Sequence, residues 1–435
     1  MSDWQRPAPH PMAAGRARGV LLLLCSINFL NYIDRYLLSA CLPLIKEEFD
    51  LSDARLGALV TAFMTFYMVS APIAGLMADR YVRKRILSAS IALWSFATAA
   101  TGRAASYSAL FFTRALVGVG ESGYSTIAPA FLSDVFPKDH RGRALAWFYI
   151  ALPGGAALGY LLGGALSAHF GWRSTFYIGG VPGLLLALLI LGVREPVRGE
   201  TDLNSGSIPA MVATHRGERP SRQYADLLRN RSFVVITLSM AAFTFALGGV
   251  SFWMPTFLSR IRGIPLATAN LQFGLMTAVC GSLGSFAGGY LGDFFLRYSR
   301  SAYLLVSAGG LLLAVPASLV GLLSSNPTTF LIGLALAEFF LFLNYGPLHA
   351  AMINCVHPAI RNTALAVNIV ILHLLGDALS AWALGAISDA SRLDRAMLIA
   401  PAFIMLSAGI LLLGIRALPR DIARVEAQLR GEVSR

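Results

Sequence analysis

The chain has 435 residues, 56% of them hydrophobic and 13% charged, with a formal net charge of +12 and a mean hydropathy of +0.63. A soluble globular protein carries about 25% charged residues, so soluble, disordered and collagen-like classes are excluded. Cys25, Cys41, Cys280 and Cys355 lie in or beside apolar runs without CxxC spacing, which argues against a disulfide scaffold, a redox pair or a thiolate metal site.

A bilayer crossing takes about 20 predominantly apolar residues. Twelve such stretches follow in chain order, at about 18–43, 55–78, 86–104, 107–133, 143–168, 174–193, 231–258, 266–292, 302–323, 328–354, 362–388 and 395–416. The first is longer than a cleaved signal: its apolar run continues through Asn31-Tyr-Ile-Asp34-Arg35 to Ala40, and no small-x-small site follows. Placing both termini in the cytoplasm puts Lys and Arg on that side by about three to one, the sense the positive-inside rule requires. The stretch 194–230 is polar and mixes Arg194, Arg198, Arg216 and Arg219 with Glu195, Glu200 and Glu218. That mixture reads as a cytoplasmic linker resting on anionic headgroups, with 223–228 a short interfacial helix, and not as a nucleic-acid surface. The expected organisation is all-α: an N-terminal six-helix bundle (1–193), the linker (194–230), a C-terminal six-helix bundle (231–417) and a cytoplasmic tail (418–435).

The two bundles repeat one another. Gly75-Leu-Met-Ala-Asp79-Arg80 after span two is matched by Gly289-Tyr-Leu-Gly-Asp293 after span eight, and Arg141-Gly-Arg-Ala-Leu-Ala146 entering span five by Arg361-Asn-Thr-Ala-Leu-Ala366 entering span eleven. Both pairs share an offset of about 215–220 residues. Parallel repeated halves with a site between them at the midplane are a transporter architecture.

Gly75…Asp79-Arg80…Arg83-Lys84 resembles the signature loop of the major facilitator superfamily. The run Thr113 to Pro129, with Asn31-Tyr-Ile-Asp34-Arg35 upstream and His373-Leu-Leu-Gly-Asp377-Ala378 downstream, resembles the spinster family of lipid transporters. The resemblance covers nearly all the spans and is strongest in the first half. Ala381 stands where the family pattern carries a proline, so no proline-made break is implied there.

Ionisable groups deep in a bilayer are costly and mark function. Asp34 lies about 24 Å along span one; Arg114 and Glu121 lie about 10 and 20 Å along span four from the opposite side. Those depths let Asp34 meet Arg114, with Glu121 one layer further in; Arg114 and Glu121 share a helix face. A carboxylate beside a guanidinium stays ionised, and one that loses it takes up a proton more readily. Drawing Arg114 onto an anionic headgroup would therefore couple proton uptake at Asp34 to substrate binding. The resemblance implies the same three positions. Asn31, Tyr32 and Arg35 stand beside Asp34 as further substrate or coupling candidates, although Arg35, about 100° round the helix, could face another helix. In the second half, Glu338 and Asp377 are either interhelical hydrogen-bond partners or a second proton site. Phe245, Trp253, Phe340 and Tyr345 are candidates for a lipid-tail pocket, set against ordinary interhelical packing. By resemblance, Asp79 caps span eleven, and Gly75, Arg80, Arg83, Asp134, Arg141 and Asp293 complete a cytoplasmic gate.

Gly118-Val-Gly-Glu-Ser-Gly123 matches GxGxxG, but no strand precedes it and it lies within a span, so small-residue packing is the better reading. His349 and His373 lack metal-ligand spacing. No P-loop and no nucleophile–base pair stands out, so the chain is not read as an enzyme or ATP-driven pump. The expectation is a monomeric, proton-coupled transporter of an anionic amphiphile, a lysophospholipid or a sphingosine-phosphate-like lipid. It would work by alternating access in a bacterial inner membrane, with the proton gradient in place of a cofactor. The alternatives are a proton-coupled organic-anion or drug transporter and, of another class, a gradient-independent scramblase.

Overall fold

The computed structural model describes residues 14–136, 144–145, 147–196, 227–357 and 360–430. Nine helices among them are long and apolar enough to cross a membrane. One of these bends at Gly171 (φ 78°) and so holds two crossings. Two more polar helices traverse the bundle beside them, a count consistent with the twelve expected spans.

The first half comprises α1 (Ala14–Phe49), α2 (Asp53–Arg80), α3 (Arg83–Thr101), α4 (Tyr107–Val135) and the bent α5 (Ala151–Leu191). The second half begins with α6 (Arg231–Arg260). Its next crossing is α7 (Leu266–Met276) and α8 (Ser282–Leu296), joined by a π-helical turn at Thr277–Gly281. Then come α9 (Ala302–Leu323), α10 (Pro327–Phe342) and α11 (Tyr345–Asn354). Span eleven is α12 (Arg361–Leu372) and α13 (Ala378–Ala390), separated by a π-helical turn at His373–Asp377. The chain ends with α14 (Leu393–Met397), α15 (Ile399–Gly414) and α16 (Leu418–Arg430). In lipid every backbone polar group must be satisfied internally, which is why helices are the spanning element. Their starts are capped by side chains: Ser52 accepts from Arg55 N, Ser106 from Ala109 N, and Asn230 from Phe233 N.

Three apolar clusters hold the bundle. One lies in the first half around Trp94, Tyr124 and Phe131. A second lies in the second half around Phe233, Leu304 and Ile404. The third crosses the seam through Tyr160, Trp253, Phe257 and Phe273. Large apolar side chains such as Leu188 and Phe286 remain exposed, on a scale that fits lipid rather than water as the solvent.

The bundle has an inner end, where α1 and α6 begin, and an outer end opposite. At the outer end the halves are sealed. Arg260 donates to both Asp53 oxygens (2.7 and 3.2 Å), Lys46 and Ser388 donate to the same carboxylate, and Asp389 accepts from Asp53 N (2.7 Å) and Ala54 N (2.8 Å) at the start of α2. A carboxylate on a helix N-terminus is favoured there by the orphan N–H groups and the dipole. A Cβ at Gly57 would sit 2.2 Å from Ala381 O and one at Gly385 2.3 Å from Asp53 O, so α2 and α13 meet backbone to backbone. Below this, Ser39 donates to Phe252 O, Asn270 to Ala40 O and Thr61 to Ala378 O. Among the described residues, every hydrogen bond across the seam lies between the midplane and the outer end.

Span eleven does break, at Gly376 (φ −102°, ψ −109°) within the π-helical turn. The break needs no proline because a π turn frees carbonyls by itself. The tail is not detached: Asp421 of α16 accepts from Ser232 N (3.0 Å) and Oγ (2.7 Å) at the start of α6. The expected interfacial helix at 223–228 lies almost wholly outside the described residues.

Candidate functional site

Spans one and four carry the polar centre, and close packing brings them together. A Cβ at Gly118 would sit 2.2 Å from Phe63 O, so only glycine lets α4 approach α2 at that level. One turn to either side of Gly118, Arg114 and Glu121 are buried, as are Asn31 and Asp34 on α1.

The partners differ from those expected. Asp34 does not pair with Arg114; its Oδ2 accepts a hydrogen bond from Thr98 on α3 (2.5 Å). Glu121 does not stand a layer apart: Arg35 Nε donates to its Oε2 at 2.6 Å. Arg35 therefore faces the site, and its guanidinium also lies 5.1–5.4 Å from the ring centres of Tyr32, Phe63 and Tyr67. The reason is reach: Arg35, one residue on from Asp34, sweeps back across the helix face to the carboxylate opposite. Arg114 is 2% exposed and its Nε and Nη1 have no hydrogen-bond partner; its guanidinium lies 5.6 Å from the Phe63 ring. Asp34 Oδ1, Glu121 Oε1 and both polar atoms of the Asn31 side chain are likewise buried without a partner. Arg114 is nonetheless the strongest charged neighbour of Asp34, ahead of Arg35.

The arrangement contains two guanidiniums and two carboxylates, with one firm ion pair among them. A guanidinium presents a rigid fork of donors suited to a carboxylate or phosphate. Arg114 is thus a buried cation with donors to spare, beside a carboxylate with an oxygen to spare.

Across the seam stands a group of tyrosines. Tyr345 lies within electrostatic reach of Tyr32 and Tyr36, and Asp377 of Tyr36 and Tyr345. The Tyr67 ring is 6.1 Å from His373, which hydrogen-bonds Asp377 (2.9 Å). Asp377 is thus tied within its own π turn and not to Glu338. Glu338 is buried, forms no ion pair, and its Oε2 has no hydrogen-bond partner.

The chain can now be set beside known proteins. The Major Facilitator Superfamily profile matches residues 24–381. "Protein spinster homolog 1" of Bos taurus is 35% identical over 404 residues, covering 88% of this chain and 75% of that protein. The chain belongs to the spinster family of the major facilitator superfamily. "Protein spinster" of Drosophila melanogaster is 34% identical over 380 residues, covering 85% of this chain and 61% of that protein. Among solved structures, a bacterial homologue of the human lysosomal transporter spinster, inward-facing and unoccupied, matches with a TM-score of 0.84 at 24% identity, covering 94% and 99% of the two chains. A D-xylose–proton symporter shares the fold with a TM-score of 0.74 at 16% identity, covering 91% and 97%. The protein is a spinster-family membrane transporter, not an enzyme.

The four aromatics expected to form a tail pocket are not brought together. Trp253 is fully buried in the seam cluster and donates to Ala381 O (2.9 Å); Phe245 stacks on Phe403 at 3.9 Å. Phe340 packs beside Phe339 within the second half, and Tyr345 alone is exposed, at 38%. At the inner end, Arg83 pairs with Asp134 (2.5 Å) and Glu195 (3.0 Å), and Asp293 accepts from Tyr303 (2.8 Å). Both are contacts within one half. Arg80 is exposed, and a Cβ at Gly75 would make only an ordinary contact with Thr126. Arg141 lies outside the described residues, and Asp79 sits at the end of α2 with its side chain outside them. Sequence reasoning missed Thr98, Phe63 and Tyr67, whose types carry no charge to flag them. It also missed Lys46, Arg260 and Asp389, whose charges at span ends read as solvated.

Proposed function

We propose that this transporter couples protons to the movement of an anionic amphiphile, of lysophospholipid or sphingosine-phosphate type, by alternating access. The observation that carries the proposal is Arg114, a buried guanidinium with free donors beside Asp34. Removing a charge from water is costly unless it is paired, so such a cation is a receptor for an anionic headgroup. When Arg114 turns to the headgroup it withdraws its stabilisation from ionised Asp34, and Asp34 then holds a proton more readily. Proton and anion favour each other, and the linkage is reciprocal. Glu121 plays the same part for Arg35. The sealed outer end gives one access state, and breaking the Asp53–Arg260 contact would give the other. The positive-inside bias of the sequence supports cytoplasmic termini, and with them a cytoplasm-facing site in this conformation. The working unit is taken to be a monomer in a bacterial inner membrane.

The test is flux of a labelled lysolipid and of sphingosine phosphate in proteoliposomes, with and without an imposed pH gradient, for the wild type and Asp34→Asn. Gradient-driven flux lost in the variant supports the reading. Flux indifferent to both gradient and substitution means scrambling, and flux of neither lipid means a smaller organic anion.

A further inference from the structure

A groove of about 860 Å³ lies away from the central site, on the flank of the first half at its inner end. Ile73 and Met77 of α2 form one wall, Ile86 and Leu93 of α3 the other, and Val119 of α4 lies at the base. It runs from Ser70, hydrogen-bonded to Ser122 (2.8 Å), to Tyr81 at the end of α2. That run spans about 16 Å at 1.5 Å per residue, the depth of one leaflet of a core about 30 Å thick. Ile73 is 54% and Met77 43% exposed, although both face a cleft and not a neighbouring helix.

The mouth carries Arg80 and Arg85. Both are exposed, and neither forms an ion pair among the described residues. The carboxylate at the mouth, Glu195, is already held by Arg83 Nε (3.0 Å), Arg83 N (3.2 Å) and Lys84 N (3.0 Å). An apolar slot one leaflet deep, ending in two uncompensated guanidiniums, matches an acyl chain below a phosphate. In the second half the corresponding hairpin is closed: the Tyr303 ring lies against Gly292, and its hydroxyl donates to Asp293. The cleft is therefore not a necessary product of the repeated fold.

We propose that the α2–α3 groove binds a diacyl anionic phospholipid of the surrounding leaflet, one chain in the cleft and the phosphate on Arg80 and Arg85. This site is separate from the central one and does not depend on the identity of the transported substrate.

The full-length protein in nanodiscs containing equal phosphatidylglycerol and phosphatidylcholine, each in turn carrying a photoactivatable chain, tests it by peptide mapping. Two basic residues at a lipid surface give a preference on the order of tenfold for the anionic lipid, with adducts concentrated on α2 and α3. Arg80→Ala with Arg85→Ala should bring the two lipids to parity, and Arg80→Lys with Arg85→Lys should restore the preference. Ala89→Trp, which fills the cleft without touching charge, should remove the α2–α3 adducts of both lipids. Adducts spread evenly around the bundle, or a preference unchanged in the double alanine variant, would overturn the assignment.

Discussion

Spans one and four bring Asn31, Asp34, Arg35, Arg114 and Glu121 to one level of the first half, where Glu121 holds Arg35 and Arg114 keeps free donors. In the second half, Glu338 stands at the repeat-equivalent of Glu121, under the same offset that relates Asp79 to Asp293 and Arg141 to Arg361. The equivalent of Arg114 falls at Leu331, and that of Asp34 near Ser251 and Trp253. One carboxylate survives and its cations do not. Two copies of one fold thus divide the labour: the first supplies charge, and the second supplies an apolar wall that seals against it through Trp253 and Phe257. An amphiphile needs both kinds of surface.

The strongest test of this division is Arg114→Ala. Truncating one member of a buried charge cluster typically costs about 2–5 kcal/mol, or roughly 30- to several-thousandfold. Flux in proteoliposomes should fall by at least that lower bound, while Leu331→Ala changes it by less than a few-fold. Equal losses at the two positions would erase the asymmetry. Glu121→Gln comes next. It releases Arg35 while keeping shape, and should lower gradient-driven flux by roughly tenfold, within the range for a lost charge-assisted hydrogen bond of about 1.5–3 kcal/mol. Glu338→Gln, with no guanidinium to release, should alter it by less than threefold. A Glu338→Gln loss matching Glu121→Gln would give the second half a coupling role of its own.

These contrasts also show what the chain sequence conveyed. Twelve apolar runs, the repeat and the depth of Asp34, Arg114 and Glu121 follow from counting residues at 1.5 Å each, and those three groups do share a level. Their pairing does not follow from counting. Whether Asp34 meets Arg114 or Thr98 depends on which rotamers fit between α1, α3 and α4, and Gly118 sets that spacing through a contact about 90 residues from Asp34's own helix. The tail pocket failed for a related reason: aromatic type reports apolar surface, not whether a ring faces a cavity or, like Trp253, the opposing half.

The outer seal is a place where the two halves act on each other directly. Arg260 is partly exposed and Asp53 is buried, so Arg260→Ala leaves the carboxylate with Lys46 and Ser388. With solvent screening at the arginine, the cost is about 1 kcal/mol, a shift of roughly fivefold toward the outward-open form. Thiol labelling of Ser39→Cys, beside Phe252 at the seam, should accelerate by that factor. Unchanged labelling would move the latch to Asp389 and the backbone contact at Gly57.

The smallest effect is expected where the second half departs from the first at its inner end. Tyr303→Phe removes the hydrogen bond to Asp293 but keeps the ring against Gly292. A hydrogen bond to a charged acceptor contributes about 1.5–3 kcal/mol when buried, but Asp293 is exposed and water replaces the lost donor, leaving about 0.5 kcal/mol. In a chain of this size that lowers Tm by no more than about 2 °C, and transport should stay within twofold of wild type. A larger fall in Tm would mean that the hydroxyl, and not the ring, keeps the α8–α9 hairpin shut. The open α2–α3 groove would then trace to Ile86, which stands where the repeat places Tyr303 and has no hydroxyl to offer.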